Sequence, residues 1–316
     1  MGIHHVTAIA GDPQRNLDFY AGILGLRLVK LTVNFDDPGS YHLYYGDEIG
    51  RPGSVLTFFP WPGGSRGRQG TSQIATVALA VPSASLGFWI EHLLAHGIKY
   101  EGPSRRFDEQ VIAFSDPDGL LLELVATARA DAVPDWSEGP LPPEHEIRGL
   151  HGATIWEDGD RGSASFLAQT MSFDLASEAG GLLRFESPAG GLGSVIHLRR
   201  APGFWSGTGG VGTVHHMAFR AATDAEQLEK RSEIEAQGLG ITPVIDRQYF
   251  RSVYFREPGG VLFEIATDRP GFMIDETAAD LGTHLKLPPM YQRDRLRIER
   301  SLPPLRLPRV PAREGR

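Results

Sequence analysis

Asp116-Pro117-Asp118-Gly119-Leu120-Leu121-Leu122-Glu123-Leu124 and Glu257-Pro258-Gly259-Gly260-Val261-Leu262-Phe263-Glu264-Ile265 are two copies of one pattern. Each is an acidic-Pro-x-Gly turn that runs into an apolar strand with a single glutamate inside it. Proline presets the φ of such a turn and glycine accepts its positive φ, so the turn has a mechanism and not only a composition. A second pair, Gly2-Ile3-His4-His5-Val6-Thr7 and Gly149-Leu150-His151-Gly152-Ala153-Thr154, recurs at a similar offset. The chain is therefore organised as two copies of one unit.

Each copy divides again. Residues 3–10, 73–81, 149–156 and 211–220 read as strands, and helices follow at about 13–24, 83–96, 160–170 and 223–237. The first helix has Asp12 as N-cap, Pro13 in its first turn, Leu17, Tyr20 and Leu24 at helical spacing, and Gly25 beyond its end. The last opens on the capping box Thr223-x-x-Glu226. Short strand runs such as 54–59 and 182–186 follow the helices. Prolines 134, 140, 142 and 143 interrupt both periodicities. The expected fold is α+β, with four βαβββ modules in two repeated domains, 1–130 and 149–285. A linker at 131–148 joins them, and a Pro/Arg-rich tail covers 286–316.

Composition narrows the function. A formal charge of -8 argues against a general nucleic-acid binder, and 41% hydrophobic residues without a long apolar run argue against a membrane span. Arg306, Arg309, Arg313 and Arg316 read as a solvated tail. Without cysteine, thiolate nucleophiles, disulfides and Cys-metal sites are excluded. No secretory leader is visible, so a cytoplasmic location is expected. Oligomeric state is open, with a homo-oligomer among the options.

Strand parity selects candidate ligands, because alternate side chains lie on opposite faces of a strand. His4, Val6 and Ala8 oppose His5, Thr7 and Ile9. His215, Met217 and Phe219 oppose His216 and Ala218, and Val261, Phe263 and Ile265 oppose Leu262 and Glu264. The bulky apolar faces should cover helices, leaving His5, His216 and Glu264 on the concave side of a curved sheet. Two imidazoles, one carboxylate and open positions suit Fe(II), and Mn(II) fits the same ligands. In the other half Gly152 replaces His5, no histidine matches His216 near 74–77, and only Glu123 persists. One metal site is expected, not two.

The fourfold module, the first-strand histidine and the last-strand glutamate resemble the vicinal oxygen chelate superfamily. Within it, Ile3-His4-His5-Val6-Thr7, Tyr41-His42-Leu43-Tyr44-Tyr45, Val214-His215-His216-Met217-Ala218-Phe219 and Asp246-Arg247-x-Tyr249-Phe250 resemble ring-cleaving dioxygenases acting on hydroquinones and related diols. That resemblance implies a small aromatic diol and O₂ as substrates. It also implies Thr7, Arg247, Tyr254, His4 and His215 close to the metal. Tyr254 is the candidate proton-transfer group and Arg247 the candidate holder of an anionic ring. By parity His4 and His215 point to the helix side, so their approach needs a bulge. A glyoxalase-like lyase or isomerase and a non-catalytic aromatic-binding resistance protein are the rival functions.

Other features read as structural. His92 and His96 lack the glutamate of a helical zinc motif. The run Gly207-x-Gly209-Gly210-x-Gly212 reads as a flexible connection. Trp61, Trp89, Trp156 and Trp205 read as packing anchors, one of them a candidate wall for a ring pocket. His42, His145, His151, His197 and His284 match no spacing.

Overall fold

Asp12 begins the first helix as its sequence suggests, its carboxylate accepting from the Arg15 N–H at 2.7 Å. The helix α1 (Pro13–Leu17) then widens into a π-helical turn, Asp18–Ile23, and Gly25 (φ +70°) lets the chain leave it. At the last long helix Thr223 accepts from Glu226 N–H, while the Glu226 carboxylate reaches back to Ala222 N–H. The computed structural model describes residues 1–136, 138–159 and 162–308.

Four βαβββ modules are present. The first is β1 (Ile3–Ala10), α1, β2 (Arg27–Asn34), β3 (Asp37–Gly46) and β4 (Val55–Pro60). The second is β5 (Gln73–Val81), α2 (Leu86–Ala95), β6 (Tyr100–Arg106), β7 (Glu109–Ser115) and β8 (Leu121–Ala126); a single turn, α3 (Ala128–Asp131), follows it. The third is β9 (Gly149–Glu157), α4 (Ser163–Gln169), β10 (Asp174–Ala179), β11 (Leu182–Glu186) and β12 (Val195–Arg200). The fourth is β13 (Thr213–Ala221), α5 (Asp224–Ala236), β14 (Ile245–Asp246), β15 (Phe250–Arg256) and β16 (Leu262–Pro270). They form two curved mixed sheets with few helices.

The sheets do not follow the halves of the sequence. One has the order β14-β15-β16-β13-β1-β4-β3-β2 and the other β10-β11-β12-β9-β5-β8-β7-β6. The first and fourth modules share a sheet, and the second and third share the other. The halves 1–130 and 149–285 are thus units of sequence repetition but not of strand pairing. The reason lies at the first strand of each module. It pairs with its own last strand in parallel and leaves one edge open, and open edges seek a partner. Antiparallel β13 takes that edge of β1, and β9 takes that of β5.

The connecting segments after β4 and β12 run against each other, with bridges Arg66–Val211, Arg68–Thr208 and Thr71–Ser206. The glycine-rich run expected as a flexible connection is therefore a paired one. A Cβ at Gly70 would lie 2.4 Å from Gly207 N, so only glycine permits this approach.

Strand parity holds. Val6, Ala8, Met217, Phe219, Phe263 and Ile265 join the core that includes Leu17 and Tyr20, while Ala218 and Ala266 join a separate cluster with Tyr44, Tyr249, Phe250 and Phe272. A fully buried lysine, Lys30, is clamped by Phe272 O, Asp275 and Glu276, which fixes the segment after β16 beneath β2. Beyond it, the expected solvated tail corrects to packed chain as far as residue 308. Leu287, Ile298 (in α6, Arg295–Ser301) and Leu302 are buried in the core. Tyr41 donates to Pro303 O and Gln14 pairs with Arg306. Arg309, Arg313 and Arg316 lie outside the described residues. Among the described residues no helix is long and apolar enough to cross a membrane.

Candidate metal centre

His5, His216 and Glu264 come together at the middle of the first sheet. Ala218 stands opposite both His5 and Glu264 across β1, β13 and β16, so adjacent central strands set the three side chains side by side. Each offers one ligand atom, and the three atoms lie within 4.8 Å of one another. Nε2 of His216 is 2.8 Å and Nε2 of His5 3.5 Å from Glu264 Oε2, and the two imidazole nitrogens are 3.4 Å apart. All three side chains are buried.

The surroundings orient these atoms. The Ser252 hydroxyl donates to Glu264 Oε1 at 2.5 Å, which occupies that oxygen and leaves Oε2 toward the histidines. Apart from the two imidazole nitrogens facing it, Oε2 meets no hydrogen-bond donor, an uncommon state for a buried carboxylate oxygen. Two imidazole nitrogens and a carboxylate oxygen converging in this way suit a cation. Burial pushes the Glu264 pKa up, yet the His5 and His216 interactions outweigh it and hold it well below the usual range.

His4 is buried behind His5, whereas His215 stands beside His216 and lines the cavity. The register slips at Ile3/His5 and at Thr7/Ala8, so His4 is the extra residue of a bulge on β1 and His215 of one on β13. The bulges let Nδ1 of His4 reach Nδ1 of His5 at 2.9 Å, and His215 reach His216 in the same way at 2.8 Å. Burial, reinforced by the neighbouring imidazole, lowers the His4 pKa to about 3; for His215, which keeps an exposed edge in the cavity wall, partial desolvation and the His216 ring lower it to about 4. Both are therefore neutral. If Nε2 of His5 and His216 present lone pairs, their Nδ1–H groups donate to His4 and His215, which fixes tautomer and ring angle together.

A cavity of about 490 Å³ opens from this cluster, walled by Tyr44, Phe59, Trp61 and Phe250. Tyr254 faces it, opposite Glu264 in register and edge-on to His216 at 5.7 Å between ring centroids. Burial and the Glu264 charge raise its pKa, so the phenol stays protonated. Arg247 Nε donates to the Tyr254 oxygen at 3.3 Å. The other end of Arg247 does not face the cavity unengaged, as a holder of an anionic ring would. Its two terminal nitrogens meet both oxygens of Asp36, at 3.1 and 3.0 Å. Thr7 lies on the His5 face but a layer below the cavity lining, accepting from Thr57, whose hydroxyl oxygen also bonds His42.

His42, Ser252 and Asp36 carry geometry that spacing alone did not reveal. His42 sits on β3 between the rings of Tyr44 and Phe59 and lines the cavity. Its signal was present, since it shares the parity of Tyr44 within a strand already singled out. Ser252 had the parity of Tyr254. Asp36 lies in the β2–β3 turn and offered no signal.

The family profile of the Glyoxalase/Bleomycin resistance protein/Dioxygenase superfamily matches residues 2–124 and again 143–265. The chain belongs to this superfamily. Over 304 residues, 96% of either chain, it is 46% identical to a protein of Bacillus subtilis (strain 168) provisionally named ring-cleaving dioxygenase MhqO. It is 33% identical over 301 residues, 92% of either chain, to the chlorohydroquinone/hydroquinone 1,2-dioxygenase of Sphingobium indicum. A crystal structure from Bacillus subtilis, provisionally described as a dioxygenase, superposes with a TM-score of 0.93 at 45% identity, covering 98% of this chain and 99% of that one. As two superfamily repeats, the chain carries β1 and β16, the strands of His5 and Glu264, at opposite ends of the matched sequence.

Proposed function

We propose that the chain is an Fe(II)-dependent dioxygenase that opens the ring of a hydroquinone- or catechol-type diol. The observation that carries this reading is the convergence of His5 Nε2, His216 Nε2 and Glu264 Oε2 at the base of an aromatic-walled cavity. Its volume suits a small-molecule site. The relatives named for ring cleavage and for hydroquinone support the reaction class. In a para-diol the C1–C2 bond joins a hydroxyl carbon to a neighbour without one, so cleavage there is of the extradiol kind.

An ion held by these three residues would acidify a substrate hydroxyl and supply electrons toward O₂. The chain's own groups do the rest. Ser252 holds Glu264 Oε1, so that Oε2 would be the oxygen offered to an ion, and the two histidine pairs fix the orientation of the His5 and His216 rings. Tyr44, Phe59, Trp61 and Phe250 hold the ring flat and exclude water. Because Arg247 donates to the Tyr254 oxygen, the phenolic proton of Tyr254 is left to point into the cavity as a general acid. Among the described residues only three side chains form the ligand group, which favours the oxygenase over a lyase with a fuller protein coordination.

The test is anaerobic purification, loading with Fe(II), and oxygen uptake with hydroquinone and catechol. One metal per chain and O₂ consumption stoichiometric with ring loss are expected. Loaded protein that consumes no O₂ with either diol would overturn the reading, and metal-dependent turnover without O₂ would point to the lyase or isomerase chemistry.

A further inference from the structure

Arg247 is the one lysine or arginine among the described residues that line the cavity. A ring bearing a carboxylate would need that cation, since the remaining charged groups of the lining are Glu264 and Asp36. Yet all three nitrogens of the guanidinium are engaged, Nε by Tyr254 and the two terminal ones by Asp36. The pair is a two-pronged fork, the arrangement that a substrate carboxylate would have to imitate. Asp36 comes from the other end of the chain and is held in place locally. Its N–H donates to Asn34 Oδ1 at 3.0 Å, and Tyr291 of the C-terminal segment donates to Phe35 O at 2.8 Å.

We propose that Asp36 is a specificity-determining residue: by occupying the fork of Arg247 it restricts the cavity to rings without a carboxylate. Deepening the proposed function, this rests on the reading that the cavity receives an aromatic ring. A carboxylated ring must displace Asp36 and then meet its negative charge at the rim. A neutral diol leaves the pair intact. At 73% exposure the Asp36 side chain gains little from the pair, so its removal should not disturb the fold.

The decisive measurement is calorimetric binding of benzoate and of benzamide, similar in shape and different in charge, to metal-free protein. Compared with the unsubstituted protein, Asp36→Asn should raise the benzoate-to-benzamide affinity ratio on the order of ten- to a hundredfold, the worth of one charge-assisted contact. The gain should vanish in the double variant Asp36→Asn/Arg247→Gln. An unchanged ratio in Asp36→Asn, or a gain that persists without Arg247, would overturn the assignment. Turnover of hydroquinone against 2,5-dihydroxybenzoate by loaded protein separates the two claims. If neither diol is oxidised the dioxygenase reading fails, while the benzoate ratio still decides the role of Asp36.

Discussion

The two sheets carry the same cup built twice, and the cups keep the same carboxylate with different neighbours. Register makes them comparable residue by residue. Glu264 stands opposite Tyr254 and Ala218; Glu123 stands opposite Ala113 and Ala78. Ile245 pairs with Ser252 where Ser104 pairs with Val111, so Arg247 and Arg106 hold equivalent places. Even the strained positions match, with Gln248 at φ +66° and Phe107 at φ +53°. In the second cup Ala113 leaves the space that Tyr254 fills in the first. Arg106 crosses it and binds both oxygens of Glu123 at 2.6 Å. Arg247, stopped by the phenol, turns outward to Asp36. In the histidine positions the second cup has Gly152 and Thr76, and a Cβ at Gly152 would sit 2.0 Å from Val195 O, so no ligand can be restored there without moving β12. A buried carboxylate needs a counter-charge. The difference is that an arginine reaches the carboxylate where alanine stands and is held away from it where tyrosine stands.

The largest expected effect comes from emptying the first cup. His5→Ala, His216→Ala and Glu264→Ala should each abolish tight metal binding, read as metal content after dialysis, with circular dichroism unchanged. Metal retained by all three variants would break the comparison at its root.

Next comes Tyr254, where two substitutions should behave differently. Tyr254→Phe keeps the ring that blocks Arg247 and loses only the proton, so turnover should fall about a hundredfold with metal content intact. Tyr254→Ala opens the path that Arg106 uses in the other cup, and metal affinity should also fall, by roughly ten- to a hundredfold. Equal metal affinity in the two variants would show that the phenol does not hold the arginine away.

The smallest effect belongs to the second cup. Glu123→Gln removes the partner of a partly exposed arginine and should lower unfolding free energy by about 1–2 kcal/mol in urea titration. Metal stoichiometry should stay at one per chain. A second equivalent of metal that disappears with this substitution would mean the second cup is not filled by its arginine.

The module pattern and the ligand face could be read from the chain because both depend on local alternation. Pro13, Gly25, the capping threonine at 223 and the period-two runs around His5 and Glu264 act over a few residues. Strand pairing between modules is not local. The open edge of β1 is equally compatible with β5 and β13, and no residue in 1–10 states the choice. The same holds for Asp36 and Arg247, separated by 211 residues in sequence and joined by a fork. The C-terminal segment misled for a related reason. Its prolines and arginines suggest a solvated tail, but sparse leucines and isoleucines, Leu287, Ile298 and Leu302, are enough to bury it on the first module. The bulges at His4 and His215 followed from the family resemblance and not from parity, since consecutive strand residues cannot otherwise share a face.

The nesting of one sheet inside the other in sequence sets an order of assembly. β5 through β12 form a continuous stretch, and the sheet they make can close as soon as that stretch leaves the ribosome. β1 must wait for β13. His5 and His216 lie 211 residues apart, and at ~5–20 residues per second synthesis leaves β1 without its partner for about ten to forty seconds. Such distant pairings form late because the loop between them must be closed first. Here that loop is itself a finished sheet, which shortens the effective gap. The three candidate ligands therefore meet only after β13 and β16 have been made, and the nascent first module carries His5 without the other two.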